Sequence, residues 1–273
     1  MIIKPLQKKE LEILFDNDAQ NLLKFFLFKA LFSQPELNEG QIPNPIQIPK
    51  EHIEQWMIQC LGAIPVGAGN YPLDIIHIDK KYGADAKMLA WNDKGKVSNE
   101  TSLGQKFTGT GDDLDIAFKN SNFSNIVSGW SNLLEKKFRK VKKDYEEIDQ
   151  IYYFFLIRQN NIFHLCGMEI DIDNLKFMGV ERTSEKSIWI SNFINSKYGE
   201  TKIYRSKKRI ELRLYPNCWI KDDLVISFDN SNYKSIHKNL IGLGIDDLYE
   251  YSLKSFNNFF EEILKKPRSK DPK

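Results

Sequence analysis

The residues best suited to chemistry stand in one short run, Pro72-Leu73-Asp74-Ile75-Ile76-His77-Ile78-Asp79-Lys80-Lys81-Tyr82-Gly83-Ala84-Asp85-Ala86-Lys87. Side chains alternate faces along a strand, so in a strand over 84–89 Asp85 and Lys87 project together while Ala86 points into the core. A carboxylate and an amine are thereby paired inside an otherwise apolar strand, where unpaired charge is costly. Residues 73–78 alternate as a second strand and 79–83 supply a turn, so the two strands form a hairpin. Closure around 79–83 puts Asp74, at the start of the first strand, near the end of the second. Its separation from Asp85 stays open, because a bend or irregular pairing has to bring the two together. Hard carboxylate oxygens of this kind hold Mg²⁺, which activates water and stabilises charge on a phosphate. An ammonium such as that of Lys87 positions that water, helps deprotonate it, or offsets the charge developing on the phosphate. Such a set would be useful in phosphodiester hydrolysis. The competing reading is structural, with Asp74 capping a strand and Asp85 simply pairing with Lys87.

The elements that must position this run are legible on both sides of it. A helix is predicted at 50–61, where Ile53, Trp56, Met57 and Cys60 share a face and Gly62 ends it. Upstream, residues 8–32 carry apolar side chains at helical spacing and form one or two amphipathic helices, followed by a Pro-rich connector over 33–49. Downstream, 125–147 is a long helix with Ile126, Trp130, Leu133, Leu134, Phe138 and Val141 facing the sheet and basic residues facing out. Strands are predicted at 151–157, 162–170, 187–194, 202–215 and 224–227, with a closing helix at 245–264. The fold class is therefore α/β, a mixed central β-sheet flanked by helices with additional C-terminal strands and loops. One elaborated domain spans 1–273: a helical and connector region over 1–49, a core carrying the charged run over 50–150, the remaining sheet with candidate recognition elements over 151–265, and a flexible tail over 266–273.

The run resembles the signature of the PD-(D/E)XK nuclease superfamily, a Pro-Asp, a spacer, then an acidic residue, any residue and Lys on adjacent strands. In character it is closest to a type II restriction endonuclease. The likeness covers roughly residues 67–89, and the helices before and after it agree in placement. The resemblance implies a restriction-endonuclease-like fold, Asp74 and Asp85 as Mg²⁺ ligands, the Ala86 carbonyl as a further ligand, and Lys87 as the catalytic lysine. Leu73 separates Pro72 from Asp74, a departure that leaves the carboxylate usable. The family often adds an acidic residue from the preceding helix, here Glu54, and sometimes a polar residue after the motif, here Glu100 or Gln105. The implied reaction cuts double-stranded DNA at a specific short sequence, leaving 5′-phosphate and 3′-hydroxyl ends, and the length of chain beyond the motif favours restriction. A repair or junction-resolving nuclease of the same superfamily is the alternative within the class. A non-catalytic DNA-binding module is the alternative outside it.

Overall charge does not announce a nucleic-acid partner: 39 Lys and Arg against 37 Asp and Glu give a net +2. Any basic surface is local. Candidate DNA contacts are Lys202, Arg205, Lys207, Lys208 and Arg209 in a predicted hairpin interleaved with aromatics, and Arg182 in a smaller loop. The basic side of the 125–147 helix reads as a solvated face. A palindromic duplex site would suit a two-fold homodimer. Gly67-Ala68-Gly69 lacks the Lys and Ser/Thr of a phosphate-binding loop, so no nucleotide cofactor is expected, and 109–115 lacks calcium-loop spacing and reads as loop and helix cap. The four histidines are dispersed, with His77 expected to be packed or hydrogen-bonded. Three cysteines without C-x-x-C spacing, no signal-peptide core and no membrane-length apolar run lead to the expectation of a cytoplasmic protein.

Overall fold

The computed structural model describes residues 1–32, 40, 48–66, 71–91, 96–103, 111–206, 209–229 and 254. Strand β1 (Ile3–Pro5) precedes helices α1 (Lys8–Leu14), α2 (Asn17–Phe32) and α3 (Lys50–Leu61). Strands β2 (Ile64–Pro65), β3 (Ile75–His77), β4 (Tyr82–Ala90) and β5 (Thr101–Ser102) follow, then helices α4 (Gly111–Lys119) and α5 (Phe123–Asp144). The remainder is β6 (Gln150–Gln159), β7 (Ile162–Ile170), a 3₁₀ turn (Ile172–Phe177), β8 (Gly179–Thr183), β9 (Ser187–Ser191), β10 (Gly199–Tyr204), β11 (Arg209–Leu214), α6 (Pro216–Lys221) and β12 (Ile226–Asp229).

Strand pairing makes two sheets. The larger runs β1-β7-β6-β4-β3-β2, with β12 also on β7, and is mixed because β4 and β6 are parallel while its other pairs are antiparallel. The smaller is antiparallel in the order β5-β11-β10-β9-β8. Central strands of the large sheet are apolar on both faces, as covering on both sides requires. Tyr152, Phe154 and Leu156 of β6 join Leu11, Leu23, Leu27, Ile53 and Met57 of α1–α3 in one core. Tyr153, Phe155 and Ile157 point the other way, into a second core with Trp130, Leu134 and Phe138 of α5. That second core continues into Ile188, Ile203, Ile210 and Leu212, so the small sheet is fastened to the large one by shared apolar packing. The α/β class with a mixed sheet flanked by helices is what the periodicity predicted.

The structure refines several elements of the sequence reading. The stretch over 8–32 is two helices because Asp16 accepts the Ala19 N–H at 3.0 Å and starts α2 afresh. The run read as loop and cap contributes its end, from Gly111, to α4. Residues 202–215 form the β10–β11 hairpin, closed by the pair Tyr204↔Arg209. The helix predicted at 245–264 and the tail at 266–273 lie outside the described residues, apart from Lys254. No helix among the described residues is long and apolar enough to cross a membrane.

Candidate active site

Small residues on one face of β4 dictate where its charges go. Ala84 and Ala86 are fully buried against the helical core of α1–α3, so alternation turns Asp85 and Lys87 to the opposite face. Asp85 is paired in register with Tyr153 on β6 and is only 5% exposed. Lys87 Nζ lies 2.6 Å from Asp85 Oδ1, the charge-assisted pair that the spacing predicted.

Asp74 arrives by an irregular pairing. Ile75 is in register with Ala84, yet the Asp74 N–H donates to the same Ala84 carbonyl at 2.9 Å, so two residues of one strand face one of the other. The Asp74 carboxylate then bends toward β4 and accepts the Ala86 N–H at 3.1 Å through Oδ2. The Asp74 carboxylate and Asp85 line the same cleft, close enough for Asp74 to act electrostatically on Asp85. The irregular pairing needed to bring Asp74 toward Asp85 is thus present, as a local bulge. N–H and C=O of one strand residue point the same way, so the Ala86 carbonyl also faces the Asp74 side. There β4 runs on to Ala90 past its last pair with β3, and the uncovered edge opens into a cleft of about 520 Å³.

Electrostatics in the cleft are unusual for surface carboxylates. Burial pushes the Asp85 carboxyl well above the ordinary carboxylate range; Lys87 opposes this, and Asp74 adds to it. For Lys87, burial works against the ammonium, but Asp85 foremost, then Asp74 and Glu54, outweigh it and raise its pKa. Glu54, on α3, lines the same cleft, so the preceding helix does bring its acid to the motif. A buried carboxyl, Asp85, beside a half-buried one, Asp74, is the kind of oxygen donor set a hard divalent cation fits. Among the described residues no cluster of three or more His, Cys, Asp or Glu side chains has metal-binding geometry.

The chain matches no protein-family model, no curated protein and no solved structure.

The far wall of the cleft belongs to the small sheet, which contributes Glu100, Ser102, Arg209 and Glu211. Glu100, predicted as an added active-site acid, accepts from Tyr204 Oη at 2.6 Å, Arg213 at 2.8 Å and Lys202 Nζ at 3.4 Å. Burial alone pushes its carboxyl up, and these donors together bring it below the usual range. It is the hub that ties β5 to β10 and β11. Gln105, Lys207 and Lys208 lie outside the described residues. Lys202 corrects the expectation of a DNA contact: it is 7% exposed, with Nζ taken by Glu200 at 2.9 Å and by Glu100. Arg182 lies 4.1 Å over the Trp189 ring and 3.4 Å from Glu200, while Arg205 is 3.7 Å from Asp115. Of the basic candidates that are described, Arg209 alone lines the cleft.

Sequence reasoning did not single out Glu211, which is buried in that wall. The signal was present as alternation: Arg209, Glu211 and Arg213 occupy one face of β11, and Ile210, Leu212 and Leu214 the other. His77 is packed as expected, 7% exposed, with Nδ1 accepting the Lys80 N–H at 3.3 Å.

Proposed function

We propose that the protein is a Mg²⁺-dependent endodeoxyribonuclease of the PD-(D/E)XK type that cuts double-stranded DNA at a specific short sequence, as a type II restriction endonuclease does. The observation that carries this reading is the meeting of the Asp74 and Asp85 carboxyls beside the Ala86 backbone, with Lys87 2.6 Å from Asp85, all at the edge of one cleft. A mixed sheet with an antiparallel β3–β4 hairpin and a parallel β4–β6 pair supports a restriction-endonuclease-like fold. Three free cysteines support a reducing cytoplasm, and burial pushes the Cys60 thiol up to about 12.

Asp74, Asp85 and the Ala86 carbonyl would hold Mg²⁺. The bound ion supplies a lowered water pKa and charge stabilisation at the phosphate. The chain's own part is geometric: β4 fixes Asp85 and Lys87 on one face, and the bulge at Asp74 sets the second carboxyl against them. Lys87, as the cation of the pair, offsets charge developing on the phosphate and orients the attacking water. Glu54, on the same side of the cleft, steadies the Lys87 ammonium through its charge. The duplex substrate has two strands to cut, so the reading includes a homodimer with one cleft per strand.

The test is incubation of purified protein with unmethylated phage DNA and Mg²⁺, beside an EDTA control. Asp85→Ala and Lys87→Ala are each expected to slow cleavage by about 10²-fold or more while leaving DNA binding intact. Discrete fragments that vanish in EDTA and in both variants support the proposal. Binding without cleavage under every metal condition would turn the reading toward a DNA-binding module.

A further inference from the structure

The cleft has two walls of different character. On the large sheet Asp74 and Asp85 face it with Lys87, whose ammonium is bound to Asp85. On the small sheet the polar face of β10 and β11 is a charge ladder, and most of its cations are consumed within it. Lys202 and Arg213 are bound by Glu100 and Glu200, and Arg182 by Glu200. Arg209 stands apart. It is exposed, it lines the cleft, and among the described residues no carboxylate lies within ion-pairing distance of it. Its backbone is nevertheless fixed, because it opens β11 in register with Tyr204, whose hydroxyl is held by Glu100.

A guanidinium on a rigid strand with no carboxylate partner among the described residues, facing a cleft whose other lining charges are mainly carboxylates, is arranged to attract an anion. Its planar fork suits two oxygens of one phosphate. Lys202, Arg213 and Arg182 are already held by carboxylates of the ladder, so among the described residues Arg209 is the cation on this wall open to added negative charge. We propose that Arg209 is a phosphodiester-binding site: it grips a backbone phosphate of the nucleic acid from the small sheet while the reacting phosphate lies against Asp74 and Asp85. This inference rests on the nuclease reading and names the residue that holds the strand between the two walls.

The experiment measures binding, not cutting. The full-length protein in EDTA is titrated with a short fluorescein-labelled DNA duplex over a series of salt concentrations, and affinity is read by anisotropy. Loss of one phosphate contact reduces the slope of log affinity against log salt by about 0.9. Arg209→Ala is expected to show that reduction with about tenfold weaker binding at low salt. Arg209→Lys should keep the slope, because charge is retained, while recovering only part of the affinity. Arg182→Ala, at a residue already bound to Glu200, should match wild type. Wild-type slope and affinity in Arg209→Ala, with the native protein binding normally, overturn this site and leave the nuclease reading standing. Failure of the native protein to bind DNA at any salt sinks both.

Discussion

Asp85 and Glu100 face the same cleft and differ chiefly in their partners. Asp85 has one cation, Lys87, and a second carboxyl, Asp74, against it, so its charge is incompletely compensated and a further cation is favoured. Glu100 accepts from three donors on three different residues of the small sheet. Its carboxylate is therefore structural, and removing its charge leaves Lys202 and Arg213 short of a partner in a poorly hydrated place. Breaking a buried ion pair from one side costs several kcal/mol. Glu100→Gln is expected to lower unfolding free energy by about 3 kcal/mol in urea titration. Cleavage by the protein that remains folded should change little. A Glu100→Gln protein of native stability but without activity would instead make this carboxylate part of the chemistry.

At the scale of elements, the β3–β4 hairpin decides whether the site exists. Its turn runs over 78–81, with the Lys81 N–H donating to the Ile78 carbonyl at 3.0 Å and Lys81 in the left-handed region at φ 52°. The sequence reading places the turn at 79–83, whereas β4 already begins at Tyr82. Gly83 has a packing reason to be there. A Cβ at Gly83 would come 2.5 Å from Leu73 Cδ1, so the bare backbone lets Leu73 pack down beside Asp74. Gly83→Ala is expected to cost about 1–3 kcal/mol from overpacking and to reduce cleavage through displacement of the Asp74 segment. Gly83→Ala combined with Leu73→Val should regain much of both losses, which thermal melts and initial rates together would reveal. The pairing of Asp85 with Lys87 was legible because period-two alternation is a property of the strand itself. The meeting of Asp74 with Asp85 was not, because register and bulge depend on which side chains crowd the turn. The far wall was less legible still. Glu211 is distant from Lys87 in the chain, and only the packing of one sheet on another brings it near.

At the scale of the whole molecule, two cores meet across the large sheet, and burying its strands on both faces also buries two histidines, His77 and His164. His164 is 6% exposed; its Nδ1 is 2.8 Å from Ser227 Oγ on β12, and its Nε2 has no hydrogen-bond partner among the described residues. Burial first, for both rings, lowers their pKa below 6.5, so both are neutral in the folded protein near neutral pH. The unfolded chain titrates at the ordinary value, so above it neither state takes up a proton and stability is full. As pH falls below about 6.5 the unfolded state binds protons that the folded state resists. Stability is then lost progressively until pH passes the folded values, by about 1.4 kcal/mol for each unit of depression. Carboxylates titrate over part of the same range, so the contribution of one ring has to be read as a difference. His164→Leu removes its titration while preserving apolar fill between β7 and β12. The unfolding free energy of native protein relative to this variant is expected to be constant above about pH 7 and to fall between about pH 6.5 and pH 5. Parallel stability curves for the two proteins across that interval would mean that His164 accepts a proton in the fold as readily as in the open chain, and that the sheet junction at β12 is wetter than its packing indicates.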